Sequence, residues 1–191
     1  MNTAVIPSTD SQIATTYAVT SDPYEDDFLD WLENKHGPAR EGSYVYGTTV
    51  NGITFLQYEN VEYQVVKSNS HVVTKAISIA GLITSIFGFY YSPGLVAALG
   101  LLFSGASLVP AGTRIDTYTL CVYWEKYITA KDGTIRHSFT WKSIDYQGFL
   151  SGNTCVVNED EPFIAYESSK DYFENDSLQF DAAYRSYIGI D

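Results

Sequence analysis

The chain has 191 residues and a formal net charge of −12, from eleven Lys and Arg against twenty-three Asp and Glu. That length suits one domain with a real core and is cramped for two. Basic residues this few and this scattered cannot neutralise a phosphate backbone, so nucleic acid is excluded as a partner.

Sixteen Tyr, ten Phe and three Trp favour pleated, half-buried surfaces and lean the fold towards β. The charge is placed unevenly. Residues 1–42 carry a net −6 and residues 145–191 a net −8, whereas residues 43–144 carry +2, a mildly basic middle between acidic flanks.

Residues 1–21, rich in Thr, Ser, Ala and Val, read as an extended arm with neither the basic nor the apolar region of a secretory signal. The chain is expected to be secreted with its leader removed, and a cytoplasmic location stays open. A short amphipathic helix is expected at Pro23–Lys35, with Asp22 as its cap and Glu25 at capping-box spacing. Phe28, Leu29 and Leu32 form its apolar face, and Gly37-Pro38 ends it.

Strand patterning begins at Ser43. Asn51-Gly52 between β-formers predicts a hairpin, and Val61–Lys67 reads as a further strand beyond Glu59-Asn60. A second β block covers residues 113–147, folded back at Lys131-Asp132-Gly133. The acidic region 152–191 offers short strands at Thr154–Val157 and near Phe163–Tyr166, then a helix at about Ser177–Tyr187.

Between the β blocks (residues 43–67 and 113–147), Ala76–Gly112 runs for 37 residues without a formal charge. Its length and periodicity predict an αα-hairpin within residues 72–112, with arms Val72–Phe89 and Pro93–Leu108. The overall expectation is therefore an α+β domain over residues 22–191, in which antiparallel β-hairpins carry an inserted hydrophobic helical hairpin.

Small side chains stripe this hairpin. Ala76, Ala80, Thr84 and Gly88 recur every fourth position with Gly81 beside them, and Ala98 and Gly105 stand on the second arm, as helix-packing surfaces do in lipid. The lipid-contacting set on the first arm is Ile77, Ile79, Leu82, Ile83, Ile86, Phe87 and Phe89, with Tyr90 and Tyr91 at the tip. On the second arm it is Leu95, Val96, Leu99, Leu101, Leu102 and Phe103. Lys67, His71, Lys75 and Arg114 bracket the hairpin, as suits arms meeting an anionic lipid surface.

The stretch SIAGLITSIFGFYYSPGLVAALGLLFSGASLV followed by DTYTLCVYWEKY resembles small secreted bacteriocin-like proteins of Gram-positive bacteria, across about residues 60–145. The resemblance implies secretion and membrane-directed antagonism, although many such toxins are cationic and this chain is acidic. A membrane-active, pore-forming or membrane-disrupting protein is the favoured expectation, with a lipid membrane as partner and a homo-oligomer as an assembly state. A structural protein whose hairpin packs in a core or subunit interface is the alternative.

His36, His71 and His137 are scattered, and neither a nucleophile elbow nor a phosphate-cradling loop is present, so no enzyme activity and no cofactor is expected. Acid runs such as Glu159-Asp160-Glu161 read as solvated faces. Cys121 and Cys155 lack metal-ligand spacing. They form either one disulfide closing a loop of about 34 residues, worth roughly 3–4 kcal/mol, or two free thiols.

Overall fold

The computed structural model describes residues 24–87, 93–103, 105–134 and 138–190. The expected arm 1–21, the cap Asp22 and Pro23 lie outside them. The elements in chain order are α1 (Glu25–His36), β1 (Arg40–Val50), β2 (Ile53–Val72), β3 (Ile77–Ser78), α2 (Ile79–Phe87), α3 (Pro93–Leu102), β4 (Leu108–Val109), β5 (Arg114–Ala130), β6 (Phe139–Ser151), β7 (Thr154–Tyr166), α4 (Lys170–Glu174) and α5 (Asp176–Ile188). The fold is α+β. Its main sheet has the order β1-β2-β5-β6-β7, every neighbour antiparallel, and β3 with β4 makes a separate two-stranded ribbon.

The β1–β2 turn is built as its residues require. Asn51 and Gly52 both take positive φ, 48° and 85°, the left-handed pair of a tight two-residue hairpin. β2 then continues through Glu59-Asn60, where a break was expected. Side chains hold that point to both neighbours: Glu59 pairs with Arg40 at 3.0 Å, and Asn60 accepts from the Gly42 N–H at 2.6 Å and donates to Glu125 at 3.0 Å. β7 likewise runs unbroken where two short strands were expected, with a register shift between Asp145 and Gln147 of its partner β6.

Strand alternation divides the core. On one face, Phe28 and Leu32 of α1 are sealed against Val61, Tyr63, Tyr118, Leu120, Val122 and Tyr146. Tyr24 occupies the N-cap of α1 without a side-chain cap bond, and Tyr63 Oη donates to the Gly37 carbonyl at the other end. The same face carries α4 and α5. Phe173 meets Trp124 edge-on, and Phe180 packs with Phe55, Ile128 and Ala130. Ser169 caps α4 and Asn175 caps α5, each accepting a backbone N–H three residues on.

On the opposite face, Phe149, adjacent in sequence to Gly148 of the α1 face, anchors α2 and α3. Those helices cover only part of that face. Glu62, Gln64 and Val66 of β2 and Tyr123 of β5 remain exposed there.

Cys121 and Cys155 are free thiols. Cys121 lies one residue from the core-facing Leu120 and so points to the opposite face, whereas Cys155 packs with the α1 cluster. A sheet's thickness separates them, and the disulfide alternative is set aside.

Candidate functional site

The uncharged segment leaves β2 and returns at β5, and its root is zipped by backbone bonds. Val73 donates to Thr113 at 2.9 Å and Gly112 donates to Val73 at 2.7 Å. Ile77 then pairs with Val109 and Ser78 with Leu108. This ribbon takes the root ends of the expected arms, so among the described residues α2 and α3 have nine and ten residues, where about eighteen and sixteen were expected. At 1.5 Å per residue they extend about 14–15 Å, half a hydrocarbon core. Among the described residues no helix is long and apolar enough to cross a membrane.

Inside the helices polar groups are satisfied locally. Ser78 Oγ accepts from the Gly81 N–H at 3.1 Å and caps α2, while Thr84 and Ser85 hydroxyls donate to the Ala80 and Leu82 carbonyls at 2.9 and 2.7 Å. Hydroxyls turned back onto their own helix in this way need no water.

The apolar residues divide by position. Leu82, Ile83, Leu95, Leu99 and Leu102 are buried, Ile83 and Leu99 completely. Ile83, Leu95, Ala98, Leu99 and Leu102 close over Phe149, and Leu82 joins Val73, Val109 and Ile115. Ile77, Ile79, Ile86, Val96 and Phe103 are half-buried at the margins. Leu101 is 73% exposed, with Leu108 at 54% on the same unit and Val72 at 62% where β2 ends. The Phe87 side chain, Gly88, Phe89, Tyr90 and Tyr91 lie outside the described residues.

The small-residue stripe does not form the α2–α3 contact. Ala76, Ala80 and Thr84 face solvent, and among the described residues of the stripe Ala98 is the one in the packed cluster. α2 meets α3 through large aliphatics instead, because both helices must fill the space above Phe149. Glycines here have mixed causes. Gly94 lies against Asn158 and Asp160 of β7, Gly81 against Ile77, and Gly105 is exposed in the turn after α3 with φ +76°, while Gly100 stands in open space.

Charge surrounds the unit in two ways. The first turn of α3, the end of a helix that favours negative charge, rests on Asn158 and Asp160 of the acidic region. At the root, Asp116 bridges β2 and β5 by accepting from Lys67 at 3.0 Å and Arg114 at 3.1 Å. Burial would raise the Asp116 carboxyl, but hydrogen bonds from Ser70, Lys67 and Arg114 outweigh it and hold the group below the ordinary carboxylate range. The acid that joins the two bases carries no signal of that role in the sequence. Their cross-strand neighbours Tyr118 and Val72 gave no hint, since the link is diagonal and depends on the register shift between Lys67 and Asn69.

Comparison with known proteins finds no family model, no curated protein and no solved structure that matches the chain. Among the described residues, no group of three or more His, Cys, Asp or Glu is placed to hold a metal ion.

Proposed function

We propose that this chain is a membrane-active protein that meets anionic lipid through its uncharged α2–α3 unit, with the five-stranded sheet as the soluble scaffold. The observation that carries the reading is the outward apolar surface of that unit. Leu101 and Leu108 are more than half exposed within residues 76–112, which include no charged side chain.

Magnitudes favour shallow contact over insertion in the first encounter. Six buried aliphatics of the unit, Leu82, Ile83, Leu95, Leu99, Leu102 and Val109, contribute on the order of 10 kcal/mol at about 1.5–3 kcal/mol each. Lifting the unit in water would forfeit that burial. Exposed Leu101 and Leu108 can enter an interface with the unit still docked. Deeper insertion follows only if lipid takes the place of Phe149 and its neighbours. The antagonism implied by the bacteriocin-like resemblance, and secretion with it, belong to this same proposal.

Vesicle co-sedimentation and dye release test it. Wild-type protein is expected to bind phosphatidylglycerol-containing vesicles between about pH 4 and 7.5, with release growing as carboxylates are neutralised at the acidic end. Leu101→Asp is expected to weaken binding with its melting temperature unchanged. Absence of binding to any vesicle across that range would overturn the reading.

A second reading rests on the edge strand β7, where Phe163 is 67% and Ile164 44% exposed. An open apolar edge can pair with another copy, giving a homo-oligomer in which the chain serves assembly. Light scattering on the same samples separates this reading from lipid contact alone.

A further inference from the structure

The connection from β2 into α2 closes over a cavity of about 470 Å³, between residues 70–77 and the Leu82 and Ser85 side of α2. A second cavity of about 240 Å³ lies between the sheet and Ile86, and His71 lines both. Val73, Ile77 and Leu82 make the apolar floor of the first, and Lys75, His71 and the hydroxyl-bearing Ser70 and Thr74 stand around it.

The charge of this place is opposite to that of the molecule. The chain is −12 overall, yet neither cavity is lined by a carboxylate. Asp116, the acid at the root, is occupied by Lys67 and Arg114, and Arg114 also donates to Ser70 Oγ at 3.2 Å. Lys67, Lys75 and Arg114 against Asp116 leave a local excess of positive charge around a pocket whose floor is aliphatic.

We infer that this pocket binds the headgroup of an anionic phospholipid. The phosphodiester sits between Lys75 Nζ and the His71 imidazole, and the glycerol and first acyl carbons lie over Val73, Ile77 and Leu82. A phosphate needs donors and a positive field, which Lys75, His71 and the hydroxyls supply. A free phosphate would leave the apolar floor unused, so the attached glycerol and acyl chain are what make a lipid the fitting occupant. The inference rests on the lipid-contact reading above and names its lipid class. The site then holds the root of the unit at the headgroup level while Leu101 and Leu108 reach the acyl boundary.

The test uses the full chain with vesicles of phosphatidylcholine alone and of phosphatidylcholine with phosphatidylglycerol. Wild type is expected to prefer the anionic vesicles by about tenfold or more, and Lys75→Glu with His71→Ala to erase that preference while weak binding to phosphatidylcholine persists. Lys75→Arg is expected to restore it. Lys131→Glu, at the β5–β6 turn away from the pocket, makes the same charge change and is expected to leave the preference intact, which separates a site from diffuse attraction. Lys75 and Lys131 are both exposed, so neither change should disturb folding.

A full preference retained by the pocket variant, or an equal loss in Lys131→Glu, would overturn the site while leaving lipid contact standing. Loss of binding to both vesicle types in the wild type would overturn the lipid reading itself. Millimolar inorganic phosphate is expected not to compete, and complete competition would overturn the lipid as occupant.

Discussion

Gly94 of α3 and Asn158 of β7 approach so closely that a Cβ at position 94 would lie 2.8 Å from Asn158 Oδ1 and 3.0 Å from Asp160 Cβ. Asn158 is 5% exposed, so its packed surroundings leave the amide little room to retreat. At this position the uncharged unit leans directly on the acidic region.

Gly94→Ala should therefore destabilise the protein. Overpacking costs about 1–3 kcal/mol, against at most about 1 kcal/mol gained in helix propensity. The matched change Gly100→Ala meets nothing within 4 Å and should gain up to about 1 kcal/mol. Urea midpoints of the two variants check this. Equal stabilisation by both would show that α3 does not press on β7.

The end of α1 supplies a pH dependence. Burial, then the ammonium groups of Lys35 and Lys142, hold the His36 imidazole below its ordinary 6.5. As pH falls, the unfolded chain takes up this proton before the folded one does. Stability is therefore full above about pH 6.5 and declines as pH drops from there towards the folded value. His36→Gln keeps a polar partner for Tyr146 Oη, now 3.0 Å from Nε2, and removes the titration. Its stability should fall less steeply than wild type from about pH 6.5 to 5 in denaturant titrations. Identical slopes would show that His36 does not contribute.

The two thiols should react in sequence. Burial, reinforced by the Asp145 carboxylate, pushes the Cys121 thiol up to about 11, so it stays protonated and shielded near neutral pH. Cys155 is half-buried beside α1, with Sγ 3.8 Å from Asp27 Oδ2. Alkylation of native protein should label Cys155 first and Cys121 only on unfolding, read by peptide mass mapping. Recovery of a peptide linked through both cysteines would contradict their placement on opposite faces.

Much of the β architecture was legible locally. Asn51-Gly52 announces its turn because few other residue pairs adopt two successive positive φ values, whereas at the turns that follow β5 and β6 a single glycine, Gly133 and Gly152, takes positive φ. In α1 the buried residues are Phe28 and Leu32, two of the apolar positions in an otherwise acidic stretch. Strand continuity was not legible. Glu59-Asn60 reads as a break in isolation, yet it stays in the strand because Arg40, Gly42 and Glu125 satisfy it from neighbouring strands.

The candidate site divides in the same way. The absence of charge from Ala76 to Gly112 is a property of the chain alone, and it determined that these residues would seek apolar surroundings. Which surroundings each one found was decided by the fold. The β3–β4 ribbon shortened the helices, and Phe149 drew Ile83, Leu95 and Leu99 inward. Ala80, Thr84 and Leu101 were left facing out. Periodicity along one segment reports its own amphipathicity, whereas the burial of a segment apolar on every side depends on which partner arrives from distant sequence, and only the tertiary structure brings β6 and β7 to it.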